Sequence, residues 1–249
     1  MIRVRNEQTK IHHCLRSILP VFDEVVVLDN GSEDDTVRVV RQLQERNQNG
    51  DRIRLFSYPH RLARFGPEHR NTPENSVHSA VYYTNWALSH CSYRYVCKWD
   101  GDMVLLRGAR REFLDLLTKI QTGIGRSWIL AGQTVYRDAM GDFYLAKGEV
   151  NSEIRIFPNG KRCRFVKAVD WERLKRPFFV RKRRFAPVCF LELKFAGEDE
   201  FSHWSTRDWP SARKRREWKN YQLVGNGHID GAGFERLGPT LLDDQLENW

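Results

Sequence analysis

The sequence predicts an α/β protein built on a mostly parallel central sheet, and three observations carry that expectation. Strand, helix and strand follow one another within the first 30 residues, and the second strand, Glu24-Val25-Val26-Val27-Leu28, is a continuous apolar run. A later strand, beginning at Tyr95-Val96-Cys97, stops at Asp100-Gly101-Asp102. An uninterrupted apolar strand is what a parallel sheet covered on both faces requires. A strand ending in two carboxylates sets them at the carboxyl edge of the sheet, where open α/β sheets bind ligands.

In chain order, Met1 to Val4 is a short strand running into Arg5-Asn6-Glu7. From Thr9 to Leu19 the residues Ile11, Cys14, Leu15, Ile18 and Leu19 recur at helical spacing, with Thr9 placed to cap the helix and Pro20 to end it. The second strand gives way to Asp29-Asn30-Gly31-Ser32-Glu33-Asp34-Asp35-Thr36, a polar turn whose last three residues include the cap of a helix with Val37, Val40 and Leu43 inward. Ile53 to Ser57 is a third strand. Pro59 to Glu74 has no period and holds His60, Arg61, Arg64, His69 and Arg70; a loop of that length is usually functional or mobile. Helices are expected over Val77 to Leu88 and from about Arg110 to Ile120, the latter broken by Gly123 and Gly125.

The second half changes character. Ser127 to Tyr136, Asp142 to Ala146 and Glu153 to Phe157 read as aromatic-rich strands between Gly and Asp turns. A basic helix is expected from Ser211 to about Leu223, and an irregular tail from Gly225. No internal repeat beyond a doubled basic tetrad and no Pro/Gly/Ser-rich linker interrupts the sequence, so residues 1–249 read as one domain with two functional halves, 1–105 and 106–249.

With 249 residues, 41% hydrophobic and 29% charged, the chain can build a sizeable core without disulfides. Its five cysteines form no CxxC pair and are odd in number, which argues against a zinc knuckle or a disulfide framework and for reduced thiols in a cytoplasmic protein. No run approaches the roughly 18 apolar residues that span a bilayer, and the amino terminus lacks the apolar core of a signal peptide. The net charge is +9, from 41 basic and 32 acidic residues. Arg-Lys-Arg-Arg occurs at 181–184 and again at 213–216. Such runs attract phosphate in nucleic acid, anionic lipid or a diphosphate substrate, or form a solvated helix face. No RNP or zinc-finger signature is present, so nucleic acid is not the expected partner.

The chemistry-bearing residues cluster at strand ends. Asp29, first beyond the second strand, can accept from a ribose hydroxyl or a base N–H, or serve its own turn. Asp100 and Asp102 offer hard oxygen donors suited to Mg²⁺ or Mn²⁺, which keep substrate phosphates in their other positions, or they form a solvated turn. His203 is a candidate metal ligand or phosphate contact, or a packed residue. Trp99, Trp171, Trp204 and Trp209 can stack on sugar rings or pack a core.

Arg5-Asn6-Glu7 after the first strand, Asp29-Asn30-Gly31-Ser32-x-Asp34-x-Thr36 after the second and Asp100-x-Asp102 after a later one together resemble the family 2 glycosyltransferases, enzymes of the GT-A fold. The resemblance covers about residues 1 to 105. Glu153-Ile154-Arg155-Ile156-Phe157 is similar to the Glu-x-Arg-(Leu/Ile)-Phe segment of a bacterial subgroup, in which a His-Glu pair follows. Here that stretch is Val169-Asp170-Trp171-Glu172, with tryptophan in the histidine's place. Phe201-Ser202-His203-Trp204 and the second basic tetrad resemble the same subgroup's late His segment and basic helix.

The resemblance implies a Rossmann-like GT-A fold whose first half binds a nucleotide sugar and whose second takes the acceptor. It implies a Mn²⁺- or Mg²⁺-dependent, inverting transfer from a nucleotide-sugar donor, most often UDP-linked, to a glycan or lipid-linked acceptor hydroxyl. The implied setting is bacterial surface polysaccharide synthesis, in the cytoplasm or at the inner face of the cell membrane. Arg5 and Glu7 would line the nucleotide pocket, Asp29 would contact base or ribose, Asp100 the ribose or metal shell, and Asp102 the metal, with His203 as a third ligand. Inversion needs a general base on the far face of the sugar. The order of expectation is Glu172, then Asp170, Glu198 and Asp199. A sugar nucleotidyltransferase-like enzyme and a non-catalytic polyanion-binding protein of the same fold are the alternatives.

Overall fold

The computed structural model describes residues 1–122, 125–169, 171–195, 212–229, 231 and 233–246. Strands β1 (Ile2–Val4), β2 (Val25–Asp29) and β3 (Ile53–Ser57) alternate with helices α1 (Ile11–Ile18) and α2 (Thr36–Arg46). The apolar stripe of α1 buries Ile11, Cys14, Leu15 and Ile18 against the sheet, and all five residues of β2 are buried, as a central parallel strand requires. After α3 (Pro67–Asn71), which lies inside the expected loop, α4 (Ala80–Ser89) begins at Ser79, whose hydroxyl accepts from the Val81 N–H at 3.2 Å.

The strand leading to Asp-Gly-Asp divides. Its first part, β4 (Tyr95–Cys97), leaves the parallel sheet, while β5 (Trp99–Asp100) pairs with β1 to give the parallel order β3-β2-β1-β5. Lys98 marks the switch: its N–H donates to the Arg155 carbonyl at 2.7 Å, and the Trp99 N–H to the Met1 carbonyl at 3.0 Å.

The chain passes through Asp100-Gly101-Asp102 from the first sheet to a second. That sheet is made from β6 (Met103–Leu105), β7 (Arg126–Arg137), β8 (Phe143–Ala146), β9 (Asn151–Pro158), β12 (Arg181–Phe195) and β13 (Phe234–Gly238), with α5 (Arg110–Thr122) preceding β7. Between β9 and β12 lies a separate hairpin, β10 (Arg164–Lys167) and β11 (Glu172–Lys175). The second sheet has the order β13-β8-β7-β12-β6, and β9 pairs with both β7 and β4. Among the described residues only β7 and β12 run parallel there, so the expected parallel pairing holds for the first sheet and not for the second.

Several expectations shift. The cap of α1 is Lys10 rather than Thr9. The first basic tetrad lies on β12, not on a helix. The second begins α6 (Ala212–Gly225), where Arg213 and Lys214 pair with the buried Glu217 and Arg216 with Glu149. The tail is ordered into β13 and α7 (Leu241–Leu246) because Phe234, Leu242 and Leu246 are buried. Trp99 is a core residue: it packs edge-on to Phe113 and Phe190 and donates its indole N–H to the Met103 carbonyl. All five cysteines are free thiols.

Candidate functional site

Two loops at the carboxyl edge of the parallel sheet are laced together by the very residues that made the sequence distinctive. Asn6, in the left-handed conformation at φ 55°, donates its N–H to Ser32 Oγ and accepts from the Glu33 N–H at 2.8 Å. The Glu7 N–H donates to Thr36 Oγ1 at 2.7 Å, and Gln8 exchanges bonds with Asp34 and Asp35. Asp34 Oδ1 in turn accepts from the N–H of Thr36 at 2.9 Å. The Asp29 carboxylate turns onto its own loop and accepts from the N–H groups of Gly31 and Ser32 at 3.1 and 3.2 Å. A carboxylate has about four acceptor positions, so those bonds leave room for a ligand hydroxyl.

Beside these loops lies a cleft of about 660 Å³, lined by Arg3, Arg5, Glu7, Lys10, Tyr83 and Asp100 among others. Arg3 projects from β1 and donates to Thr84 Oγ1 at 2.6 Å and to Glu172 Oε1 at 2.7 Å. Lys10 lies 3.2 Å from Glu7 Oε2, and Arg5 lies at 3.8 Å from Glu33. A second cleft, of about 480 Å³, lies at the amino edge between Met1, Glu24, Arg52 and Val96; its lining includes Trp99 but none of Arg5, Glu7, Asp29, Asp100, Asp102 and Glu172.

The two carboxylates of Asp-Gly-Asp take different partners. Asp100 accepts from Arg155 Nη1 at 2.8 Å, and Arg155 also pairs with Glu153 at 2.7 Å. Burial pushes the Asp100 pKa up, but Lys98, Arg155 and Arg3 outweigh it and hold the group well below the usual carboxylate range. Asp102 faces away toward β12, where Lys194 Nζ lies 2.7 Å from its Oδ2 and 3.3 Å from Glu192 Oε1. Glu192 also accepts from Asn151 at 3.1 Å and faces Arg213 at 3.5 Å. Among the described residues no three His, Cys, Asp or Glu side chains converge as a metal-binding group. Each of these two expected ligands holds a buried cation in this arrangement, so a divalent ion at Asp100 or Asp102 would have to share the carboxylate with Arg155 or Lys194 or displace it. His203, the third expected ligand, lies outside the described residues.

Gly101 is required by space. A Cβ there would stand 2.9 Å from Val4 Cγ1 and 3.3 Å from Glu7 Cγ. Gly101→Ala should therefore destabilise the fold by about 1–3 kcal/mol through overpacking, read as a lower urea midpoint.

Glu172 opens β11 with its side chain almost fully buried against Arg3. Burial raises its pKa, but Arg3 and Lys98 reverse this and lower it, which makes the carboxylate a weaker base than a free glutamate. Asp170, Glu198, Asp199, Trp204 and Trp209 lie outside the described residues. Of the expected set, the structure brings Arg5, Glu7 and Asp100 to one cleft, sets Glu172 behind Arg3, makes Asp29 the last residue of β2 rather than the first beyond it, and separates Asp102. Arg3, Lys10 and Lys194 went unread in the sequence. The readable signal for Lys194 was Glu192-Leu193-Lys194 inside an apolar run, two opposite charges on one strand face.

The Glu192 carboxylate gives an acid limb. Burial pushes its pKa up from 4.5, and Lys194, Lys214, Arg213 and Arg155 more than reverse this. A carboxylate whose folded pKa is depressed stabilises above its unfolded value and loses that stability as pH falls through the folded one. On the order of 2–3 kcal/mol should disappear as pH drops below about 4.5. Urea midpoints at neutral and acid pH should diverge less in Glu192→Gln than in the wild type.

Residues 1–66 match the model of glycosyl transferase family 2. No curated protein matches the chain. Among solved structures, S. aureus TarS residues 1–349 in complex with UDP-GlcNAc aligns at 14% identity and TM-score 0.49, covering 82% of this chain and 60% of that one. Glucosyl-3-phosphoglycerate synthase from Mycobacterium tuberculosis, crystallised with Mn²⁺, UDP and glucosyl-3-phosphoglycerate, aligns at 22% identity and TM-score 0.34, covering 55% and 42%. The chain thus spans less than two thirds of either protein's crystallised length. The family match spans β1 to β3 and both laced loops, so the similarity to glycosyl transferase family 2 lies in this segment of the chain.

Proposed function

We propose that the protein transfers a sugar, with inversion, from a nucleotide-sugar donor to a hydroxyl of a glycan or lipid-linked acceptor. The observation that carries this reading is the cleft beside the laced loops, where Arg3, Arg5, Lys10 and Arg64 line the wall together with Glu7, Asp34 and Asp100. The nucleoside diphosphate gains negative charge as it departs, and fixed cations in a partly dehydrated cleft stabilise that charge. UDP is the proposed donor nucleotide, with Asp29 and Asp100 receiving ribose or base donors and Glu7 helping to form the wall. No step is routed through a metal ion, since Lys194 and Arg155 already pair with the carboxylates that would hold it. The acceptor's proton goes to a carboxylate, for which Glu172, Asp170, Glu198 and Asp199 are the candidates. Bacterial surface polysaccharide synthesis is the proposed setting.

The test is a thermal-shift panel of UDP, GDP, CDP and their sugar conjugates, each with Mn²⁺, Mg²⁺ or EDTA, on wild type and Arg5→Ala. A ligand at a hundredfold its Kd adds about 2.7 kcal/mol of apparent stability. One nucleotide should stabilise the wild type and stabilise Arg5→Ala less. An equal shift in EDTA assigns the diphosphate charge to the chain's own cations, and a shift only with Mn²⁺ means an ion displaces Lys194. No shift with any nucleotide under any condition would remove the transferase reading.

A further inference from the structure

The turn between β11 and β12 is firmly built, yet it presents its apolar side chains to water. The Val180 N–H donates to the Pro177 carbonyl at 3.1 Å, the Arg176 guanidinium donates to the Val180 carbonyl, and the Arg181 N–H donates to the Gly125 carbonyl at 2.9 Å. Val180 is buried beneath the turn. At the apex, Phe178 is 95% exposed and Phe179 is 52% exposed, their rings edge to face with centroids 5.6 Å apart. Large apolar side chains held out in this way mark an interaction site.

The charge around the apex is of one sign. Residues 173–187 contain seven Lys and Arg side chains and no Asp or Glu. Arg181 to Arg184 are all exposed and form no ion pair among the described residues, and Arg126 stands opposite Arg181 in the ladder. The second tetrad is different, because its Arg213, Lys214 and Arg216 are held by Glu192, Glu217 and Glu149. No helix among the described residues is long and apolar enough to cross a membrane.

We propose that this turn docks the protein on an anionic lipid bilayer, Phe178 and Phe179 entering the headgroup region while Arg181 to Arg184, with Arg126 and Arg176, meet the lipid phosphates. An apolar tip and a polybasic surface are the two signals that reversible interfacial binding combines. A soluble polyanion would use the cations and leave both rings in water. β11, the strand that leads into this turn, begins with Glu172, the partner of Arg3 in the cleft.

The test is co-sedimentation of the full chain with vesicles of phosphatidylcholine alone and of phosphatidylcholine with phosphatidylglycerol in equal parts. The proteins compared are wild type, Phe178→Ser/Phe179→Ser, and a variant with residues 181–184 all changed to serine. Wild type should bind the anionic vesicles at least roughly tenfold better than the neutral ones, and more weakly as salt rises. Each variant should lose roughly tenfold or more. Phe178→Trp should blue-shift its emission on anionic vesicles only. Absence of binding, binding unchanged by the phenylalanine substitutions, or heparin binding equal in wild type and Phe178→Ser/Phe179→Ser without vesicle binding would overturn the proposal. None of these readouts involves a nucleotide, so they stand apart from the transferase reading.

Discussion

Lys194→Met is expected to cost about 3–5 kcal/mol, the range for breaking one partner out of a buried ion pair. The Lys194 side chain is 3% exposed, and its ammonium lies between Asp102 and Glu192, whose side chains are nearly as buried. Glu192 keeps Asn151 and Arg213, while Asp102 loses the ammonium that lies 2.7 Å from its Oδ2. Asp102→Asn in the same chain should recover most of it, and the non-additivity of single and double variants in urea unfolding measures the coupling. Addition of Mn²⁺ gives a second readout. If the ion stabilises Lys194→Met and leaves the wild type unchanged, the lysine occupies the position that a metal takes when the lysine is gone. A cost below about 1 kcal/mol would show that Lys194 is not the counter-charge to Asp102.

The second large effect concerns Arg3 and Glu172. Arg3→Met strands a buried carboxylate and should cost about 3–5 kcal/mol, whereas Glu172→Gln keeps an acceptor for Arg3 and should cost much less. Turnover separates two roles for Glu172, and hydrolysis of the donor by water reads it without an acceptor. If Glu172 holds Arg3 against the cleft, Glu172→Gln weakens nucleotide affinity by roughly tenfold and changes kcat little. A general base would instead lose about 10²–10⁴ in kcat at unchanged nucleotide affinity. The lowered pKa of Glu172 and its 2.7 Å contact with Arg3 favour the first result.

The elements that sequence patterns revealed are those whose signals are local. Ile11, Cys14, Leu15 and Ile18 fall on one helical face, and Val25 to Leu28 need no partner to be recognised as a buried strand. β12 escaped because its first four residues are charged and Pro187, which has no N–H to give the ladder, lies where the register shifts between Arg184 and Val188. The tail escaped because its glycines masked the few large residues that anchor it, Phe234, Leu242 and Leu246. In the site, Arg5, Glu7 and Asp100 were legible from motif and strand position, and the structure brings all three to the cleft. The division between Asp100 and Asp102 was not, since it depends on Lys194, 92 residues further along the chain.

That separation bears on how the molecule is made. A chain emerging from the ribosome reaches residue 105 with β1 to β3 and both laced loops already synthesised, but with Asp102 still awaiting its counter-charge. β6 has to wait for β12 to pair Leu105 with Phe190, and β7 has to wait for the same strand across the whole intervening hairpin region. Pairings of such long range form slowly. The loops at the carboxyl edge of the first sheet can therefore close early, whereas the floor beneath Asp-Gly-Asp is completed only when one late strand arrives, so a single segment times the maturation of the second sheet.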